Sequence, residues 1–137
     1  MKESFEKNKW HSERGGAGAK LLIFGVLAFL IAHGLYNYGM TSYQAANFKQ
    51  DLQTAVVQGV TLPTTAGDPK VIIQKKIATI IPLHQLPSDT FYEVKKNGTT
   101  YSARVYYQVV VPILPFGLYD YNYVFDHTAT PGDFYSD

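Results

Sequence analysis

The side chains in this sequence that could do acid–base or metal chemistry are histidines and carboxylates, because the chain has no cysteine. His33 is the first candidate, since it lies in a long apolar stretch, and an ionisable group inside a membrane is a functional candidate. A neutral imidazole there could ligate haem iron or the magnesium of a chlorophyll-type pigment. The alternative is that the ring bonds a backbone carbonyl, a partner or headgroup water. His84 and His127 have no acidic neighbour at ligand spacing, so we expect no metal site.

Carboxylates near the C-terminus form the second candidate site. Asp120 and Asp126 belong to an acidic end of the chain, because no lysine or arginine follows Arg104. Such a surface could dock a small basic soluble partner such as a cytochrome; the alternative is an ordinary solvated strand face. Two aromatic residues are further candidates for partner contacts. They are Trp10 in the N-terminal segment and Tyr106, whose neighbours on one strand face are polar.

Catalytic motifs are absent from the sequence. We find no glycine-rich phosphate loop, no nucleophile elbow, no paired carboxylates in a plausible cleft and no nucleic-acid-binding motif. The 137 residues carry a net charge of +1, with 46% hydrophobic, 15% aromatic and 17% charged residues. This composition excludes a disordered chain and a disulfide-stapled mini-protein, and it suits one small domain with an appendage. We therefore expect a protein that is not an enzyme and binds no nucleic acid.

A membrane span is the strongest feature of the sequence. Residues 21–36 contain no ionisable side chain near neutral pH other than His33, and extension to Met40 gives 20 residues. At about 1.5 Å per residue such a helix is about 30 Å long, which matches the hydrocarbon core of a bilayer. No small-x-small cleavage site follows, so we expect an uncleaved anchor. Small residues within the span predict close packing against other helices: Gly25, Ala28, Ala32 and Gly34.

The distribution of basic residues predicts the orientation of this span. Five basic residues precede it, whereas Lys49 is the one basic residue among the twenty that follow Met40. The positive-inside rule places the N-terminus in the cytoplasm and the C-terminal domain on the periplasmic, extracytoplasmic side of the inner (plasma) membrane. The predicted segments are a basic cytoplasmic stub (1–20), a transmembrane helix (21–40), an extracytoplasmic α+β domain (41–127) and an acidic tail (128–137).

Two helices are predicted in and beyond the span. Apolar residues at three- and four-residue spacing continue the span as one long helix that ends near Gly59. A second, amphipathic helix begins at Asp68 and Pro69, because Asp is a good N-cap and Pro is favoured in the first turn. Pro82 is expected to stop this helix.

Strands follow the second helix. Alternating residues predict strands at 90–96, 99–111 and 118–127, and Asn97–Gly98 predicts a hairpin with a type I′ turn. The predicted fold class is therefore α+β. A transmembrane helix continues into a long helix and is followed by a second helix and a three-stranded antiparallel β-meander (α-α-β-β-β).

Three segments of the sequence carry a resemblance to known proteins. They are GGAGAKLLIFGVLAFLIAHGLY, the helix from Asp68, and EVKKNGTTYSARVYYQVVVPILPFGLYDYNYVF. In this pattern the chain resembles the pilin-like superfamily. More narrowly, it resembles small bacterial single-span membrane proteins of unknown function with a C-terminal α+β periplasmic domain. A type IV pilin is cut after a Gly and carries Glu at the fifth mature position, whereas Gly18 here is followed by Ala19-Lys20-Leu21-Leu22-Ile23.

Two functions agree with these observations. The first is a non-catalytic, single-pass accessory subunit of a larger integral-membrane complex of photosynthetic, respiratory or oxidase type. Its helix would pack on the host, in contact with the lipid bilayer, and its domain would cover the outer face. The alternative, which the resemblance implies, is a pilin-like structural protein that forms homo-oligomers or filaments.

Overall fold

The computed structural model describes residues 14–132, which form two helices followed by a three-stranded sheet. The elements are helices α1 (Arg14–Thr61) and α2 (Pro69–Leu83) and strands β1 (Phe91–Asn97), β2 (Thr100–Leu114) and β3 (Tyr119–Ala129). Short 3-10 turns at Thr64–Ala66 and Pro115–Gly117 join α1 to α2 and β2 to β3. The predicted α-α-β-β-β order is confirmed.

Helix α1 joins the apolar segment to the outer domain without a break. It has 48 residues, which at about 1.5 Å per residue is about 72 Å, more than twice the thickness of a hydrocarbon core. Within residues 14–132 it is the one helix long and apolar enough to cross a membrane. It ends two residues beyond the expected Gly59, and the Leu62 N–H still donates to the Gln58 carbonyl at 3.2 Å.

Helix α2 begins where its capping residues predict. The Asp68 carboxylate accepts a hydrogen bond from the Lys70 N–H at 3.0 Å, and Pro69 occupies the first turn. The helix ends at Leu83, one residue beyond the expected stop at Pro82. A proline in the last turn removes only one intrahelical bond, and the His84 N–H closes the helix on the Ile80 carbonyl.

The sheet is an antiparallel meander in the order β1-β2-β3. Asn97 pairs with Thr100, so the two-residue loop of the first hairpin is Gly98–Thr99 rather than Asn97–Gly98. Of these residues only Gly98 has a positive φ, of 62°. The expected type I′ turn is therefore wrong: a glycine with positive φ at the first loop position is typical of type II′.

Strands β2 and β3 both extend further than predicted. Strand β2 continues through Leu114, three residues beyond the expected end, with a register irregularity between Pro112 and Leu114. Strand β3 continues to Ala129, which is buried and pairs with Ala103. The first two residues of the predicted tail (128–137) therefore belong to the sheet, and residues 133–137 lie outside the described residues.

The core lies between α1, α2 and one face of the sheet. Phe48 is fully buried and meets the rings of Tyr107 and Phe125 edge-on, at centroid distances of 6.0 and 5.6 Å. The alternation predicted for β2 is confirmed. Its buried residues lie on one face of the strand, and the other residues of that face are half-buried. Helix α2 comes so close to α1 at Gly59 that an added methyl group there would overlap Cγ1 of Ile73.

Candidate functional site

The hairpin of β2 and β3 runs along α1 towards the apolar segment. Tyr107 packs near Phe48, in the part of the domain that is far from the apolar segment. Further along, Tyr121 and Tyr123 each lie 6.0 Å from Tyr38, measured between ring centroids. Strand β2 therefore runs antiparallel to α1, so that later residues of β2 meet earlier residues of α1. This direction brings the closed end of the hairpin to the part of α1 that the sequence assigns to the membrane.

Two polar residues of the predicted span hold the end of this hairpin. His33 Nδ1 lies 3.2 Å from the carbonyl oxygen of Ile113, and Asn37 Nδ2 donates to the carbonyl of Pro112 at 2.9 Å. Asn37 Nδ2 also lies 3.3 Å from His33 Nε2. The ring thus has the backbone-carbonyl partner that the sequence left open as the alternative to ligating haem or pigment. In this arrangement His33 donates from Nδ1 and positions the hairpin.

Gly34 explains why the hairpin approaches α1 closely at this height. It is buried, and an added methyl group would lie 3.1 Å from both Cγ2 and the carbonyl oxygen of Ile113. The residue predicted to pack against another helix is therefore covered by a strand of its own chain. A larger side chain at position 34 would hold the hairpin away from α1. It would lengthen the hydrogen bonds that join the hairpin carbonyl groups to His33 and Asn37.

The remaining predicted packing residues lie on the other side of α1. Gly25 is nine residues before Gly34, which at about 100° per residue places the two about 180° apart around the helix. In the described part of the chain, nothing beyond the adjoining helix backbone comes within 4 Å of a methyl group added to Gly25. The same face carries small residues at seven-residue intervals, which we call the small-residue seam: Gly18, Gly25, Ala32 and Gly39. Ala28 flanks it. Gly18 and Gly39 were not predicted as packing residues, although their seven-residue spacing is visible in the sequence.

Two of the predicted partner-binding residues of the sheet, Tyr106 and Asp126, are cross-strand neighbours, whereas Asp120 lies apart from them, opposite Pro112. Asp126 accepts two hydrogen bonds from Arg104, at 2.9 and 2.8 Å, and these bonds hold the pKa of its carboxyl below the usual range. The expected acidic docking surface is weakened here, because the Arg104 guanidinium offsets the charge of Asp126. Asp120 is exposed at the hairpin end of β3. Tyr106, expected to be exposed, is half-buried, and its hydroxyl takes a hydrogen bond from Gln108.

One histidine contact was not expected from the sequence. His84 Nε2 lies 2.6 Å from Asp51 Oδ2, and its ring meets Phe48 edge-on at 5.4 Å. The pair ties the end of α2 to α1. No local signal could have found it, since 33 positions separate the two residues and only the packing of the helices brings them together.

Among residues 14–132, no group of three or more histidines, cysteines or carboxylates could hold a metal ion. Trp10, the remaining predicted partner contact, lies outside the described residues. Comparison with known protein families, curated proteins and solved structures found no match. The resemblance to pilin-like proteins therefore stays a prediction.

Proposed function

We propose that this protein is a non-catalytic, single-pass subunit that attaches to a larger integral-membrane assembly through the small-residue seam of α1. This proposal rests on the observation that the described part of the chain leaves the small-residue seam uncovered. Its residues recur every seven positions on the face opposite the sheet. Within residues 14–132, nothing beyond the adjoining helix backbone lies within 4 Å of a methyl group added to Gly18, Gly25 or Gly39.

The way in which helices associate in lipid supports the packing of another helix against the small-residue seam. Lipid tails are as apolar as leucine, so close packing between backbones, rather than hydrophobic burial, holds helices together in a bilayer. Small residues permit that close approach, and a seven-residue repeat matches the shallow left-handed crossing common in membrane bundles. Much of the first half of the span outside the seam is exposed and bulky, as expected for contact with lipid: Leu21, Leu22, Ile23, Phe24, Phe29 and Ile31.

The proposal places the sheet domain on the extracytoplasmic side of the inner membrane, because basic residues are concentrated before the span. There the domain covers an outer surface of the host. A basic soluble partner remains a proposal for the acidic residues beyond β3, Asp133 and Asp137. Asp126 is already paired with Arg104, and Asp120 lies opposite Pro112 at the membrane end of the hairpin. A haem or pigment of the host could bind His33 only at Nε2, since Nδ1 faces Ile113, and it would have to displace the Asn37 amide that lies 3.3 Å from Nε2.

Self-association is the second candidate function. A seam of small residues can pack against the same seam of a second copy, which would give a symmetric dimer. The pilin-like pattern of a long helix followed by a meander sheet favours this alternative, whereas Ala19-Lys20-Leu21-Leu22-Ile23 lacks the glutamate of processed pilins.

Extraction in mild detergent distinguishes the two functions. The tagged protein is purified from its native membranes, and its partners are identified by mass spectrometry together with an absorption spectrum. Unlike chains at a fixed ratio support the subunit proposal. Recovery of this chain alone, as oligomers or shearable fibres, contradicts it and supports self-association.

A pair of variants tests the seam itself. The substitutions Gly25→Leu and Ala32→Leu, made together, should detach the protein from its partners while leaving it in the membrane. The control adds bulk on the opposite face, through Ile23→Phe and Leu27→Phe, and should purify with partners as the unaltered protein does. Equal recovery of partners with both pairs would show that the seam is not the contact.

A further inference from the structure

The turn that closes the β2–β3 hairpin has an unusually apolar surface. The segment from Pro112 to Leu118 reads PILPFGL, without one charged or hydrogen-bonding side chain. Phe116 is 97% exposed and Leu118 is 72% exposed. Single exposed apolar residues are ordinary in water-soluble domains, but a whole hairpin turn that displays them marks a contact surface.

The position of the turn along α1 indicates what it contacts. Ile113 lies on Gly34, six residues before the end of the 21–40 segment, which at about 1.5 Å per residue is about 9 Å below that end. The chain continues in the same direction beyond Ile113 and reverses at Pro115–Gly117. When residues 21–40 cross a bilayer, the turn therefore reaches the level of the acyl chains on the side that carries the sheet domain.

The backbone of the turn is suited to a medium poor in water. Proline at 112 and at 115 removes two N–H donors that would need partners there. The carbonyl groups of Pro112 and Ile113 take hydrogen bonds from α1, through Asn37 and His33. This arrangement also gives a reason for two polar side chains in an apolar helix, since they satisfy carbonyl groups that lipid could not.

The conformation of Phe116 is a further, independent observation. Its φ of 63° and ψ of 22° lie in the left-handed region, which bulky residues rarely adopt. Such a conformation is unfavourable for a residue with a bulky side chain and clusters at sites of function. Here it directs the aromatic ring away from the rest of the protein.

We propose that the Pro112–Leu118 turn is a second membrane anchor, which inserts Phe116 and Leu118 among the acyl chains of the leaflet beneath the sheet domain. The occupant of this surface is lipid, because the turn is continuous with the lipid-facing span through the Ile113–Gly34 contact. The two anchors together fix the orientation of the sheet domain relative to the bilayer. This inference depends on the span crossing the membrane but not on the small-residue seam.

A single tryptophan reports the depth of the turn. The chain has one tryptophan, so Trp10→Phe gives a dark background into which Phe116→Trp is placed. The full chain is reconstituted in phosphatidylcholine–phosphatidylglycerol vesicles, with or without bromine on the acyl chains. We expect blue-shifted emission that brominated lipid quenches several-fold more strongly than in the control Phe91→Trp, at a 50% exposed site on β1. Phe29→Trp reports the span in the same vesicles.

The outcomes separate the anchor from its alternatives. Emission typical of water and no quenching at position 116, with Phe29→Trp quenched, would overturn the proposal while leaving the span intact. Burial of position 116 only after a partner protein is added would also overturn it, since the surface would then be a protein contact. If Phe116→Trp disturbs the turn, Leu118→Cys carrying a polarity-sensitive probe gives the same test, because the chain has no cysteine of its own.

Discussion

Gly34 in α1 lies directly beneath Ile113 in β2, and a methyl group added to Gly34 would be 3.1 Å from both the side chain and the carbonyl oxygen of Ile113. This contact joins the apolar half of the long helix to the sheet. It also sets the distance over which His33 and Asn37 bond the hairpin carbonyls.

The first prediction concerns this contact. The substitution Gly34→Leu should lift the end of the hairpin from α1 and destabilise the domain by about 1–3 kcal/mol, because a packed interface has no space for the new side chain. Hydrogen exchange in nanodiscs should show faster exchange at residues 113–119. The control Gly25→Leu meets open space and should leave that exchange unchanged. Identical exchange in both variants would contradict the contact.

The second prediction concerns the crossing of the two helices at Gly59. The substitution Gly59→Ala should cost about 1–3 kcal/mol of unfolding free energy, because the added methyl group overlaps the fully buried side chain of Ile73. Gly39→Ala is the matched control, since no described residue outside the adjoining helix backbone lies within 4 Å of its methyl group. It should be neutral or stabilising by up to about 1 kcal/mol, given the better helix propensity of alanine. Thermal unfolding in detergent compares them, and equal stability of the two variants would refute the close crossing.

The third prediction is a loss of stability in alkali. Burial raises the pKa of Tyr107 from 10.0 to about 12, with a smaller contribution from Tyr123. Below pH 10 the phenol is neutral in both folded and unfolded chains, so its contribution is fully present there. As the pH rises from 10 to 12 the unfolded chain ionises first, and stability falls by about 2 kcal/mol.

Alkaline unfolding of Tyr107→Phe provides the measurement. This variant should lose less stability than the unaltered protein over that interval, whereas Tyr92→Phe, at an exposed position, should follow the unaltered protein. A tyrosinate absorbance titration of the folded protein should show one late-titrating tyrosine that disappears in Tyr107→Phe. If the two variants lose stability alike, Tyr107 is not the desolvated phenol.

The fourth prediction concerns the Arg104–Asp126 pair in acid. The two hydrogen bonds from Arg104 lower the pKa of Asp126 below its ordinary 3.8. A carboxyl with a depressed pKa stabilises the fold above its unfolded pKa, and this contribution is lost as the pH falls below about 4. The effect is small because the pair is exposed. Asp126→Asn should remove it, whereas Asp120→Asn should not. Acid unfolding midpoints measure the difference, and an equal shift in both variants would count against the pair.

Much of the fold is predictable because its signals are local. The length of the apolar run, the cap at Asp68 and Pro69, and the alternation along β2 each depend on neighbouring residues, so the element order could be derived before any contact was known. Element ends were less predictable. The fold carried α2 through Pro82 and paired Asn97 with Thr100, since sheet register and helix packing can outweigh a local turn or stop signal.

An apolar helix followed by a small α+β domain is readable from residue order alone, and so are His33 and the small residues as candidates. What these residues contact depends on how the chain packs. His33 and Ile113 are 80 positions apart, and they meet because the sheet packs along α1 through Phe48 and Tyr38. That docking divides the glycines of the span, with Gly34 beneath the hairpin and Gly25 on the free face. The physical reason is that helix periodicity fixes which residues share a face, whereas the partner of each face depends on the packing of the whole chain.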